Sequence, residues 1–370
     1  MKHRETLLLT PGPSPVPPRV LERLAEPLIH HRTPEFRAMW RRVNEGLGRA
    51  FRTGSPVLTF ASSGTGALEA TITNLLGEGD EVLSFSSGKW GERYEAIAAA
   101  YGLKLVSFKY AYGESVRAAD VREALERHPA AKAVLTTHCE TSTGALQPIR
   151  QIAAETRRSG ALLFVDAISG LGCDPLEMDA WGIDAVVGGS QKGLMLPPGL
   201  GFAALGKRAL AIAESKRPRN FYFNFNLALE ALKRDDSAFT PASNLVAALD
   251  ESLAMILEEG LENVWERHAA AAAYVRRTLS EAGFATLAKA PSNALTAAVI
   301  PAPLSASAML EHLVSRHGIV MAAGQGSLEG AIVRFAHMGH GARLETAERG
   351  LEAFLDVAKK DKPTVTVINE

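Results

Sequence analysis

Two periodicities alternate along the first two-thirds of the chain. Short apolar runs occupy 57–61, 81–86, 104–108, 132–137, 162–166, 185–188 and 201–205. Each is too short for a typical helix and rich in valine, leucine, phenylalanine or alanine, so each predicts a strand. Between most of them, stretches at 66–76, 90–101, 117–127 and 149–158 carry helical periodicity. Another helix is expected over 35–51, after Thr33-Pro34, a plausible cap and first-turn pair. Strands alternating with helices imply a three-layer α/β/α unit around a mostly parallel sheet of seven strands.

The pattern then changes. Phe221-Tyr222-Phe223-Asn224-Phe225 is aromatic-rich and reads as irregular. Residues 244–274 and beyond predict long helix, broken near Glu259-Gly260, with five alanines from Ala269 to Ala273. After Pro291 a smaller α/β unit is expected, with strands near 294–300 and 331–336 and helices near 307–317 and 344–358. At the other end, Pro11, Pro13, Pro15, Pro17 and Pro18 cannot lie inside a helix and read as an extended arm. The expected division is an arm over 1–20, a large domain over 21–250 and a small C-terminal domain over 251–370.

Composition changes this picture mainly by exclusion. With 370 residues, 46% hydrophobic and 22% charged, the chain can bury a large core. A net charge of −1 suggests neither a nucleic-acid nor a membrane partner. The two cysteines, Cys139 and Cys173, make a disulfide framework or a zinc site unexpected. Residues Met1 to Thr6 lead into three leucines, too short for a signal core, and no apolar run approaches the ~20 residues of a membrane span. A cytoplasmic protein is the expectation.

Candidate chemistry clusters at strand ends. Ser62-Ser63-Gly64-Thr65-Gly66-Ala67 follows one strand and opens a helix, where free backbone amides and the helix dipole suit a phosphate. An ordinary strand-to-helix turn is the competing reading. The run is neither a dinucleotide glycine fingerprint nor a nucleotide P-loop, which disfavours a nicotinamide dehydrogenase. Asp166 ends a buried run and either caps the next turn or holds a ring nitrogen protonated. Lys192 lies in Gly188-Gly189-Ser190-Gln191-Lys192-Gly193. A lysine desolvated there loses proton affinity and becomes a nucleophile; a surface loop lysine is the alternative.

Glycine turn, strand-end aspartate and lysine one strand later, in that order, suit a pyridoxal 5'-phosphate (PLP) enzyme. The lysine would bond the cofactor's aldehyde, and the aspartate would keep the pyridine ring an electron sink. Trp90 opens a helix and is either core or a ring stacked on a planar cofactor. Arg334, inside an apolar strand pattern, needs an anion: an internal carboxylate or a substrate carboxylate. His138-Cys139-Glu140 could pass for a nucleophile and base, but adjacent side chains seldom face each other; the loop should border the site.

Together these motifs resemble the class V aminotransferases of the fold-type I PLP enzymes, closest to the alanine–glyoxylate and serine–pyruvate or serine–glyoxylate branch. The similarity runs from Leu7 to about Ala358. Its markers are Leu8-Leu9-Thr10-Pro11-Gly12-Pro13, His31-Arg32-Thr33-Pro34-Glu35-Phe36, Ser63-Gly64-Thr65-Gly66-Ala67-Leu68-Glu69, Glu140-Thr141-Ser142-Thr143-Gly144, Val165-Asp166 and Gly189-Ser190-Gln191-Lys192. The resemblance implies that Lys192 anchors PLP and moves the substrate's Cα proton, while Asp166 pairs with the pyridine nitrogen. It implies that Trp90 stacks on the ring and Thr141 bonds the phenolic oxygen. Ser63, Gly64, Thr65 and Gln191 would hold the phosphate, Arg334 the substrate carboxylate, and the Pro11-Gly12 arm the substrate side. It further implies a homodimer with shared sites, Thr240 reaching the partner's phosphate.

The chain departs from the family pattern at two places. Some relatives carry tyrosine where Ser237 stands, which implies either one partner-chain contact to the phosphate fewer or a rearrangement of Phe239 or Tyr222 nearby, and many have glycine at Cys139. The implied reaction moves an amino group from alanine or serine to a small 2-oxo acid such as glyoxylate or pyruvate. A cysteine desulfurase would need a cysteine in the C-terminal part, and none follows Cys173. A phosphonate-type class V aminotransferase would want more basic residues, and a non-catalytic subunit of a complex would be expected to lose Lys192, Asp166 or Arg334.

Overall fold

The computed structural model describes residues 6–361. Residues 1–5, part of the expectation of no leader, and 362–370, the end of the expected small domain, lie outside the described residues.

All seven predicted runs are strands of one sheet: β1 Val57–Ala61, β2 Glu81–Ser86, β3 Lys104–Lys109, β4 Ala133–Thr137, β5 Leu162–Asp166, β6 Ala185–Gly189 and β7 Leu200–Leu205. Their spatial order is β1-β7-β6-β5-β4-β2-β3. β7 runs antiparallel to both neighbours, and the other pairs are parallel. The sheet is covered on both faces because successive side chains point to opposite sides. Leu163, Val165, Val186 and Phe202 enter one core, against the helices Pro34–Phe51 and Ser243–Glu259. Leu162, Phe164, Val187 and Ala203 enter the other, against Gly64–Leu75 and Lys89–Ala100. Parallel strands bring their C-terminal ends, Asp166 and Gly189 among them, to one edge, where ligands bind in such sheets.

Local chemistry sets several boundaries. Thr33 accepts a hydrogen bond from the Phe36 amide, with Pro34 in the first turn. The helix expected from residue 66 begins at Gly64, because Ser63 takes the cap position. The expected long helix is two, Ser243–Glu259 and Leu261–Glu281, parted at Gly260 by a φ of 86°. The expectation of an extended arm is corrected at its end: a helix Pro18–Ala25 starts there, its proline in the first turn where no amide is needed. The aromatic segment is likewise irregular only to Asn224. That residue's side chain accepts from the Asn226 and Leu227 amides and starts a helix, Phe225–Leu232. A helix at Lys207–Ser215 was not anticipated either.

The C-terminal part builds a three-stranded antiparallel sheet from Leu295–Val299, Ile332–Ala336 and Ala322–Ala323. Its own core includes Val275, Leu279, Met309, Phe335 and Phe354. Leu261 and Val264, on the same helix as Val275 and Leu279, belong instead to the larger core. The arm joins both parts. Leu7–Leu8 pairs in parallel with Ile319–Val320, and the Ser14 amide donates to Gln191 O at 3.0 Å.

Phe164 is fully buried on β5, inside the sheet. Phe164→Ala should cost ~3–5 kcal/mol through the cavity it leaves. A clear drop in the midpoint of urea unfolding would show this; an unchanged midpoint would mean the residue is not packed as described.

Candidate active site

The lysine-bearing turn is closed by Ser190, whose hydroxyl donates to Pro197 O at 2.7 Å and accepts from the Leu200 amide at 3.2 Å. Just beyond it, Lys192 is only 6% exposed. Its amine donates to Pro11 O and lies 5.9 Å from the centroid of the Trp90 ring. Gly12 has a φ of 100°, and a Cβ there would overlap the end of the Lys192 side chain. Glycine is needed on both counts. Burial pushes the Lys192 amine down to about 8.

Asp166 comes from the neighbouring strand end. One carboxylate oxygen accepts from the Ile168 amide at 2.9 Å. Burial pushes the group up to about 7, against that hydrogen bond. Ser63 caps the Gly64–Leu75 helix without spending its hydroxyl on the cap. The first amides of a helix have no partner within it. A Cβ at Gly64 would overlap the Ile168 side chain, so glycine lets the helix start approach the strand end.

Trp90 is held by a buried carboxylate. One oxygen of Glu140 accepts from the Trp90 and Gly91 amides at 3.0 and 3.2 Å. The other accepts from the Ser142 amide and hydroxyl at 3.1 and 2.6 Å. Burial raises the Glu140 pKa and these donors oppose the rise. Glu140 therefore ties the first turn of the Lys89–Ala100 helix to the loop after β4. Two polar atoms nearby, Trp90 Nε1 and Gln191 Oε1, are buried without a hydrogen-bond partner.

The same loop positions the remaining groups. Thr141 Oγ1 lies 3.1 Å from Ser169 Oγ. The Arg334 guanidinium donates to Thr141 O at 3.0 Å and Ala323 O at 2.8 Å. Among the described residues it has no carboxylate in ion-pair contact, so the internal carboxylate weighed from the sequence is replaced by carbonyls. Burial lowers its pKa.

Ser63, Gly64, Thr65, Trp90, Asp166, Gln191 and Lys192 line one cavity. Cys139, Arg93, Ile168 and Ser169 line it too. The last three were not singled out from the sequence. Arg93 carried a signal, since it stands one helical turn after Trp90 and shares its face; the other two merely follow Asp166. A cysteine nucleophile does not fit: burial holds the Cys139 thiol well above its usual range, and Glu140 is engaged elsewhere. Thr240 is exposed and lines a different pocket, beside Tyr222 and Phe239. Ser237 donates to Phe239 O at 2.7 Å, and the rings of Tyr222 and Phe239 stack 5.3 Å apart.

A family model described as Aminotransferase class-V matches residues 6–344. The chain belongs to the class V aminotransferases. It is 32% identical to the serine–glyoxylate aminotransferase of Methylorubrum extorquens, over 90% of this chain and 86% of that protein. It is 35% identical to a Synechococcus protein named soluble hydrogenase, small subunit, over 90% and 88% of the two chains. The alanine–glyoxylate aminotransferase structure from Nostoc sp. superposes with a TM-score of 0.93 at 32% identity, covering 96% of each chain. The fold is thus that of the fold-type I aminotransferases, with the seven-stranded sheet at its centre. Among the described residues no helix is long and apolar enough to cross a membrane.

In this aminotransferase, Glu140→Ala should leave buried amides unpaired and cost at least ~1–3 kcal/mol. Glu140→Gln, which keeps an acceptor, should lose less. Urea unfolding and tryptophan emission would report both; equal stability of the alanine variant and the parent would show that Glu140 does not hold Trp90.

Proposed function

We propose that this aminotransferase moves the amino group of alanine or serine to a small 2-oxo acid such as glyoxylate or pyruvate, with PLP in the cavity around Lys192. The observation that carries the reading is the buried Lys192 amine, lowered to about 8, facing a cavity it shares with Asp166 and the Ser63–Thr65 turn. The names of the two aminotransferase relatives support the donors and the acceptor.

The residues fit PLP. The Gly64–Leu75 helix start offers amides and hydroxyls for a phosphate, and Trp90 Nε1 is a buried donor still able to pair. When bound, PLP supplies a cationic ring that accepts the electron pair left at the substrate Cα. Lys192 would anchor the cofactor, and its amine, when free, would hold and move the substrate's Cα proton. Asp166 would pair with the pyridine N–H, and a cation beside it would offset the burial that raises its pKa. Trp90 would stack on the ring, and Thr141 would bond the phenolic oxygen. Ser63, Gly64, Thr65 and Gln191 would hold the phosphate.

Arg334 receives the substrate α-carboxylate, which would give its desolvated guanidinium the anion it lacks among the described residues. The Pro11-Gly12 arm closes the substrate side against water. We also propose a homodimer in which Thr240 serves the other copy's phosphate; Leu28, Phe221 and Tyr222, all exposed, supply apolar surface for it. We further propose the division expected from the sequence, with the small domain over 251–370; the change of core within Leu261–Glu281, just after that boundary, supports it. Two free thiols fit a cytoplasmic setting. A non-catalytic subunit is the weaker reading, because Lys192, Asp166 and Arg334 are all present and buried.

The deciding experiment follows the visible absorbance of the PLP-loaded protein. L-alanine or L-serine should bleach the band of lysine-bound cofactor, and glyoxylate should restore it; a band that neither donor bleaches would overturn the substrate assignment. Lys192→Ala should remove that band and nearly all turnover, and normal turnover would remove Lys192 from its role. Arg334→Ala should raise KM for every amino donor by about tenfold or more, as expected for a lost charged contact; unchanged saturation would exclude the carboxylate role. Cofactor attachment should also depend on pH. With the amine at about 8, roughly one-tenth is neutral at pH 7, against about one in three thousand for an ordinary lysine. The rate at which PLP attaches to the stripped protein should rise with pH and level off above about 8; a rise continuing toward pH 10 would mean an unshifted amine.

A further inference from the structure

A phosphate ester carries close to two negative charges near neutral pH. On the PLP reading, on which the role of Arg93 depends, the chain's own phosphate cradle is Ser63, Gly64, Thr65 and Gln191, all uncharged. The helix dipole adds about half a positive charge. Lys192 is committed to the aldehyde. Ser237 turns its hydroxyl to Phe239 O, within its own loop. Burying an anion without a nearby cation is costly, so the cradle is short of positive charge.

Arg93 meets that need. It lines the same cavity as the cradle. Its Nη1 lies 3.4 Å from Thr65 Oγ1, at the edge of the phosphate turn. Its guanidinium sits 4.3 Å from the centroid of the Trp90 ring. Among the described residues no carboxylate is in ion-pair contact with it: the adjacent Glu92 is taken by Lys89 and Tyr112, and Asp166, in the same cavity, feels its charge only at longer range. A guanidinium can rest on an aromatic face and donate in its plane at the same time.

We propose that Arg93 is a phosphate-binding residue, sharing its guanidinium between the Trp90 ring and the oxygens of the cofactor's phosphate. Arg93 lies on the helix that carries Trp90, so the residue that stacks on the ring and the residue that balances the phosphate move together.

The test compares two ligands on the full chain stripped of cofactor: PLP and pyridoxal, which lacks the phosphate. Tryptophan fluorescence reads both affinities, and circular dichroism checks the fold of each variant. Arg93→Gln should weaken PLP by about tenfold to a hundredfold and leave pyridoxal nearly unchanged. Arg93→Lys, which keeps the charge, should recover part of the loss. Equal weakening of both ligands would mean that Arg93 acts through Trp90 alone and would overturn the proposal, as would no change in either. If the parent chain binds PLP no better than pyridoxal, the phosphate cradle itself is wrong, and the PLP reading falls before Arg93 is at issue.

Discussion

Lys192 carries its amine into a space almost closed to water, where Pro11 O accepts its hydrogen bond. Much of the architecture serves that placement. The arm must cross the lysine closely, which demands glycine at position 12. The arm is in turn fixed at two points: its strand pairs with Ile319–Val320, and Ser14 bonds to Gln191 and Lys192. The lysine's surroundings therefore join the first residues of the chain, the central sheet and the C-terminal part. A loss of pairing at any of the three would let water reach the amine and return its pKa toward the ordinary value.

Desolvation acts on the other charged groups in the same direction, toward neutrality. It raises Asp166 and Glu140 and lowers Lys192 and Arg334. The protein tolerates this differently at each place. Glu140 is satisfied by amides and a hydroxyl, and its job is to hold the turn that presents Trp90. Asp166 has one amide, and Arg334 has two carbonyls. These two are underpaired for their charge, and that distinguishes groups suited to meet a ligand from groups that hold the frame.

The scaffold alone does not dictate the chemistry, because one fold can host several reactions. The choice rests on a few positions at the strand ends. Here they supply an amine and a carboxylate, joined by a guanidinium from inside the strand Ile332–Ala336, and no cysteine follows Cys173 to favour sulfur chemistry. Ile168 and Trp90 line the cavity shared by the amine and the carboxylate and keep those two charges strong by excluding water.

The sequence by itself determined the strands of the central sheet, most of the large helices and the three markers Ser63–Thr65, Asp166 and Lys192. These were legible because apolar periodicity and turn chemistry are written within a window of ten or so residues. The same window misread the start of the Phe225–Leu232 helix, where an aromatic cluster hid Asn224 as a cap, and it extended the arm past Pro18. Only the tertiary structure decided that β7 runs against its neighbours, that carbonyls rather than a carboxylate hold Arg334, and that Arg93 and Ser169 reach the cavity. Those outcomes depend on pairing between segments far apart in the chain, and no local pattern of side chains specifies which distant backbone will arrive.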